Sequence, residues 1–402
     1  MSNKNRILLI FHANVKKRRQ QIAQQPKSVP MADYLALLNT LDADYIDQTT
    51  VDSKGWARLL RRVVGYELVL ALLAFFRRNQ YDLFYGDSEA IGMPLAFLFK
   101  FTRQRRRLMF IAHRLTRFSR TIFLDYFRIQ SHVDTVFVHT LAQETVALAR
   151  CGFTARQVEL IPYQADPDFW NMEAYIGQLE REKRNRSLNE PPYICSAGME
   201  CRDYGTLLKA IEGLDIELRL AVGSHYSQSK ETGLSEELPP NVKVKFYNYT
   251  ELRELYANSA FVVMPTYDVD HSAGVTSIME AMGLAKAVIA TRSVGQSDVL
   301  NDRRNTTRNT YNRMANATFS KIYAPNHLSN LQTGLYVNPG QPEEMRQAIQ
   351  HLLKNPDNAT EIGQNARRLI ESSMTLNHFC DRIKDKMVDQ LSIPLNGIPV
   401  PS

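Results

Sequence analysis

An α/β protein made of two domains, each on a parallel sheet, is the architecture this sequence predicts. Three observations point there. Short apolar runs alternate with helical stretches along the chain, the pattern of strand–helix–strand units. The chain has 402 residues, enough for two domains that each bury a core. Near its middle lies a charged segment, EREKRNRSLNEPP, ending in Pro-Pro, which reads as a connection. The expected division is a first domain over residues 1–170, a connection over 171–191 and a second domain over 192–374.

The elements follow in order. RILLIFHA (Arg6 to Ala13) is the first strand, and a long loop is expected from there to about Pro30. A helix follows from Met31, then ADYID (Ala43 to Asp47) as a strand. One long helix is expected over Lys54 to Asn79. YDLFYGD (Tyr81 to Asp87), LMFIAH (Leu108 to His113), DTVFVHT (Asp134 to Thr140) and the start of VELIPYQADPDFW (Val158 to Trp170) are further strands, with helices between them. The second domain opens with PYICSAGMECRDYGTLLKAI (Pro192 to Ile211). There a strand runs into Gly198, and Asp203 is a suitable N-cap for the next helix. IELRLAVG, VKVKFYN, FVVMP, AVIA and the start of TGLYVNPG supply the remaining strands. Residues 301–332, rich in Asn, Arg and Thr, read as an inserted loop.

One stretch carries the chemistry. FVVMP (Phe261 to Pro265) is a buried strand, and a polar loop with Asp268, Asp270 and His271 follows it. A helix then starts near Ser272 to Gly274, with Val275, Ile278, Met279 and Met282 on its buried stripe. Glycine at a loop-to-helix turn lets a ligand approach the backbone. The first helical turn, around Val275 and Thr276, offers unpaired amides and the positive dipole end, which suits a phosphate. Glu280, a turn and a half further in, is an acceptor suited to vicinal sugar hydroxyls. The same features also fit an ordinary helix whose glutamate caps or faces water. His113 ends a strand where ligands bind in open parallel sheets, and it fits a solvated loop histidine equally.

The stretch resembles the donor-site motif of the retaining glycosyltransferases of family 4. In that motif a Glu, seven residues and a second Glu precede an apolar strand. Glu280 matches the second Glu, and Ser272 stands at the first position. Ala285 and Ala287 stand where the family usually has Gly and Pro, and Asp298 where it has a turn Glu. Asp166 matches the Asp that usually follows Gly-Val before the second domain, with Gln164 and Ala165 in place of Gly-Val. The family's Gly-Arg and downstream Lys, both contacting the donor diphosphate, correspond to a shorter version here. Arg202 falls in the Lys place after Gly198, and Met199 in the Arg place.

What the resemblance implies is a GT-B fold: two Rossmann-like domains facing across a cleft, with the tail 375–402 returning to the first domain as a helix. It implies transfer of a sugar from a nucleotide-sugar to an acceptor hydroxyl with retention. His113 would face the reacting sugar, Arg202 the diphosphate, and Glu280 the nucleotide ribose; Gly198, Ser272, Gly274, Val275 and Thr276 would line the donor. The nucleotide-sugar is a co-substrate, and no cofactor is implied. The acceptor (a glycan, a lipid-linked molecule or a small molecule) is left open. The alternatives are a GT-B nucleotide-sugar epimerase and a non-catalytic partner protein with a degenerate donor site.

Charge and cysteine add the remaining expectations. Residues 1–186 hold 28 Lys+Arg and 18 Asp+Glu, a net +10; residues 187–402 hold 21 and 24, a net −3. The basic runs are Lys16 to Arg19, Arg58 to Arg62, Arg77–Arg78 and Arg103 to Arg107, with nine apolar residues from Leu68 to Phe76 between two of them. That run is too short to span a bilayer, which takes about 20 residues. It fits either an interfacial helix on an anionic membrane or a core helix with solvated ends. No nucleic-acid-binding motif accompanies the charge. Cys151, Cys195, Cys201 and Cys380 lack metal-ligand spacing and favour reduced thiols, and no signal-peptide layout is seen. The expected place is the cytoplasm, with the inner face of the cell membrane as a peripheral station. Asp268 and Asp270 have the types of a metal pair, but no metal is assigned.

Overall fold

Two six-stranded sheets, parallel throughout, account for twelve strands. The computed structural model describes residues 6–173, 175–176, 192–222, 238–305, 328 and 330–393. By contacts these fall into two units. One comprises Met1–Pro26, Met31–Ile161 and Asn377–Ser402; the other comprises Lys27–Pro30 and Pro162–Leu376. The segment 162–170, grouped with the first domain on sequence, therefore belongs to the second unit, where Ala165, Phe169 and Trp170 join its core. Most of the expected connection 171–191 and of the expected inserted loop 301–332 lies outside the described residues.

The first sheet holds β1 (Ile7–Ile10), β2 (Asp44–Ile46), β3 (Leu83–Gly86), β4 (Arg107–Ile111), β5 (Thr135–Val138) and β6 (Val158–Leu160). Their order is β2-β1-β3-β4-β5-β6. β3, β4 and β5 are buried at every residue, as a parallel sheet covered on both faces requires. Side chains alternate across the pleat. Leu8, Ile10, Phe84 and Phe110 face one core with helices Gly55–Phe76 and Glu89–Phe101. Leu9, Phe11, Tyr85 and Ile111 face the other, with helix Asp33–Thr40 and the last helix, Leu376–Ser392. Phe379, Ile383 and Met387 of that last helix are buried there, and Lys386 pairs with Glu159 at 2.7 Å.

Two helical expectations change. The loop before Pro30 contains a helix, Val15–Gln24, capped by Asn14, whose side chain accepts from Lys17 N at 2.8 Å. The long helix expected over Lys54 to Asn79 is broken at Gly65, which has φ 83° and ψ 171°. The chain folds back there: Trp56 and Phe76, twenty residues apart in sequence, meet edge to face at 6.2 Å. A glycine inside an apolar pattern was the only local sign of this hairpin.

The second sheet holds β7 (Tyr193–Ala197), β8 (Glu217–Ala221), β9 (Val242–Lys245), β10 (Val262–Met264), β11 (Val288–Thr291) and β12 (Leu335–Val337). Their order is β12-β11-β10-β7-β8-β9. The edge strand β9 reads VKVK and exposes both lysines, a common guard against edge-to-edge pairing. Counted from its own first strand the sheet runs 6-5-4-1-2-3, the doubly wound order of dinucleotide-binding sheets. The order reverses between β7 and β10. In such sheets ligands bind beyond the carboxyl ends of the strands at that reversal.

Candidate functional site

Arg202 lies at the reversal in the second sheet. The loop after β7 carries it, and the loop after β10 faces it: Arg202 and Thr266 form an antiparallel bridge, and Tyr267 N donates to Cys201 O at 3.1 Å. Asp203 caps the next helix, Tyr204–Ile211, accepting from Thr206 N at 3.0 Å as the sequence suggested. Arg202 is buried, at 4% exposure. Its Nε donates to Ala197 O at 2.9 Å and its Nη1 to Glu200 O at 2.7 Å. Among the described residues Nη2 has no hydrogen-bond partner. These two bonds fix the plane of a cation whose remaining donors suit a bidentate oxyanion.

Two glycines make room for this guanidinium. Gly198 has φ +97°, and a Cβ there would sit 2.3 Å from Arg202 Nη2. Gly274 has φ +88°, and a Cβ there would meet Arg202 Nη1 at 3.2 Å and Met264 Sδ at 3.1 Å. Gly274 is also the N-cap of helix Val275–Gly283 and contributes no side-chain cap. The first amides of that helix therefore open beside a fixed cation, and both favour an anion. Val275 contributes only backbone here, since its side chain is 1% exposed in the core, whereas Thr276 is exposed.

Glu280 sits deeper on the same helix. It is buried, and Tyr256 Oη donates to its Oε2 at 3.2 Å. Burial lifts its carboxyl to about 8; the Tyr256 hydrogen bond and the Arg202 charge pull the other way. A carboxyl held neutral near pH 7 can both donate to and accept from a diol. Nothing local in the sequence paired Tyr256 with Glu280.

Ser272 is tied into the loops. Its Oγ donates to Gly295 O at 3.2 Å and hydrogen-bonds the Tyr163 hydroxyl. Asp268 is likewise structural, its Oδ1 accepting from Val294 N at 3.0 Å. His271 meets Cys201 and Glu200 from the facing loop, a grouping the sequence spacing did not reveal. Within the second unit the structure thus brings Gly198, Arg202, Gly274 and Glu280 to one end of the sheet.

His113 belongs to the first unit, two residues beyond β4, and is exposed. Its backbone is held by Glu89 Oε2, which accepts from its N at 3.0 Å, and by Gln143 Nε2, which donates to its O at 3.1 Å. Its ring stacks on His139 at 5.7 Å. Burial, and then the neighbouring His113, push His139 down to about 3, so that ring stays neutral. His113 lines a cavity of about 190 Å³ with Phe11, Asp33, Tyr34, Tyr85 and Asp87. The strand order of the first sheet reverses there too, between β1 and β3. Burial lifts Asp87 to about 7 and also raises Asp33, leaving a polar but weakly charged hole.

The basic runs divide under the structure. Arg105 pairs with Asp134 at 2.5 Å, Arg106 donates to Asn79 at 2.9 Å, and the buried Arg107 holds the Gln390 carbonyl at 2.8 Å. The run from Arg103 to Arg107 is thus mostly a structural brace. Val69, Leu70, Ala71, Leu73, Ala74 and Phe75 are buried, so the apolar run is core. Apart from Phe76 at the end of that run, the exposed apolar residues of the hairpin sit on its other arm and tip: Trp56, Leu59, Val63 and Val64, beside the exposed Arg58 and Arg62. No helix among the described residues is long and apolar enough to cross a membrane.

Residues 198–355 match the family described as Glycosyl transferases group 1. No curated protein matches the chain by sequence. A sucrose-phosphate synthase from Thermosynechococcus elongatus has a similar structure, with TM-score 0.64 and 16% identity, covering 97% of this chain and 100% of its own. Anabaena HepE, solved in complex with UDP-glucose, gives TM-score 0.61 and 15% identity over 95% of this chain and 99% of its own. A glycosyltransferase from Rickettsia africae gives 0.59 and 16% over 98% and 100%. At these identities the likeness is one of fold. The family match covers residues 198–355, within the second unit, and the two-sheet fold of the chain is that of GT-B glycosyltransferases.

Proposed function

We propose that the protein is a retaining glycosyltransferase that moves a sugar from a nucleotide-sugar to an acceptor hydroxyl. The observation that carries this reading is Arg202, buried and oriented between Gly198 and Gly274 beside an uncapped helix N-terminus. A nucleotide-sugar's diphosphate is the group such a site suits. In the reaction the bond from the anomeric carbon to the diphosphate oxygen breaks, and its electron pair leaves with the diphosphate. The acceptor oxygen bonds to the same face of the sugar, and its proton passes to the departing phosphate. Arg202 and the amides of the first helical turn stabilise the charge that develops, and they do so without reorganising. Glu280 takes the ribose diol. The family resemblance assigns His113, which lines the cavity of the first unit, to the reacting sugar. Anabaena HepE, a fold neighbour, is described with UDP and with UDP-glucose, which supports a nucleotide-sugar as the donor.

The acceptor belongs to a class the first unit must select: a glycan, a lipid-linked molecule or a small molecule. The exposed arm Trp56–Val64, with Arg58 and Arg62, supports peripheral attachment to an anionic membrane on the cytoplasmic side. The activity is tested by incubating the full chain with a panel of nucleotide-sugars and candidate acceptors. Nucleotide release with a product of unchanged anomeric configuration is expected. Binding without release in every combination would instead identify a non-catalytic donor-site protein.

A further inference from the structure

The loops after β7 and β10 bring together a thiol, an imidazole and a carboxylate that the donor reading does not use. Cys201 Sγ lies 3.8 Å from His271 Nε2, and Glu200 Oε1 lies 3.9 Å from the same nitrogen. Among the described residues this is the one grouping of three such side chains with ligand atoms within 4.8 Å of one another. We propose that Glu200, Cys201 and His271 form a binding site for a soft divalent cation of the zinc class, which clasps the two loops framing the Arg202 pocket.

Four observations carry it. The first is spacing. With metal–sulfur and metal–nitrogen bonds of about 2.3 and 2.0 Å, tetrahedral ligand atoms stand about 3.5 Å apart. The two separations from His271 Nε2 need to close by only a few tenths of an ångström, and all three atoms already lie within 4.8 Å of one another. The second is ligand type. Thiolate and imidazole together select zinc-like ions over magnesium or calcium, and thiolate plus carboxylate match a charge of +2. The third is the outer shell. Asp270 Oδ1 lies 3.6 Å from His271 Nδ1, on the far side of the ring from the ligand set. A carboxylate that close can draw the ring proton to Nδ1, the tautomer in which Nε2 is the metal-binding nitrogen. The fourth is pre-organisation. The Arg202–Thr266 bridge and the bond from Tyr267 N to Cys201 O hold the two loops in register without the ion. Glu200 is exposed and Cys201 and His271 half-buried, so a fourth position stays open to water.

The test uses cobalt(II) as a spectroscopic stand-in, added to the full chain freed of metal by chelator. The other three cysteines, Cys151, Cys195 and Cys380, are buried, so a thiolate-to-cobalt absorption reports Cys201. The absorption is expected in the wild type and in Glu280→Ala, and is expected to vanish in Cys201→Ser. Zinc affinity, read by competition with a chromophoric chelator, should fall at least tenfold in His271→Asn and about 10- to 100-fold in Asp270→Asn. Circular dichroism confirms that each variant is folded. Absence of the absorption in the wild type, or its persistence in Cys201→Ser, would overturn the proposal. So would a zinc affinity unchanged by both His271→Asn and Asp270→Asn. None of these readouts depends on glycosyl transfer, so they stand apart from the proposed activity.

Discussion

Glu280 shows how a single carboxyl can tie stability to recognition. Its proton is held up to about 8 in the folded chain, against 4.5 for the free group, because the side chain is buried. The folded state therefore binds that proton more tightly than the unfolded chain does. Its contribution to stability is fullest below about pH 4.5 and is lost as pH rises through about 8. Glu280→Gln should flatten this part of the stability-versus-pH curve, measured by thermal unfolding at a series of pH values. An identical pH dependence in the variant would mean that the carboxyl is solvated. Glu280→Ala should weaken donor binding by about 1–3 kcal/mol while the fold survives, read by calorimetric titration. Gly198 offers a separate test at this scale. Alanine there must adopt φ +97° with its Cβ against Arg202 Nη2. The strain, about 1–3 kcal/mol, should lower the melting temperature, and displacement of the guanidinium should lower turnover. A variant with wild-type turnover would place Arg202 outside the chemistry.

The elements differ in how openly the sequence declared them. Most of the twelve strands were visible as short apolar runs, because buried parallel strands need little else, while the edge strands β2 and β9 showed as mixed polar and apolar runs. The helix after Gly274 was visible from its apolar spacing. The hairpin at Gly65 was not, because each arm alone looks helical and the reversal depends on one backbone angle. That reversal changes which residues of the hairpin are exposed. Leu68 to Phe76 was the apolar run in the sequence, yet all of it from Val69 to Phe75 except the half-buried Leu72 is core, and Trp56 to Val64 is the arm that carries exposed apolar and basic side chains together. The full chain should pellet with anionic vesicles at low salt and be released as salt rises, since each basic side chain adds about 1 kcal/mol near such a surface and screening removes it. A double variant, Trp56→Ser with Val63→Ser, should weaken pelleting, while Arg106→Gln, whose guanidinium already donates to Arg78 O and Asn79, should do little. Equal pelleting of wild type and the double variant would leave the arm as solvated surface.

For the whole molecule, topology predicts where function sits before any side chain is considered. Each sheet reverses its strand order once, and each reversal carries one candidate site: Arg202 and Gly274 in the second unit, His113 and its cavity in the first. The sequence exposed Gly274 and Glu280 through their spacing on one helix. It exposed His113 and Arg202 only through likeness to a family pattern, since an arginine before a helix and a histidine after a strand are each unremarkable alone. The Tyr256–Glu280 pair and the Glu200–Cys201–His271 grouping were hidden, because their members come from separate loops or helices that only the folded sheet brings together. The central claim is that Arg202 receives the diphosphate of the donor. Calorimetric titration of nucleoside diphosphates into wild type, Arg202→Lys and Arg202→Ala tests it most directly. A charge-assisted hydrogen bond is worth about 1.5–3 kcal/mol, so Arg202→Ala should bind roughly 10- to 100-fold more weakly, with Arg202→Lys between it and wild type. The same affinity in all three proteins would contradict it.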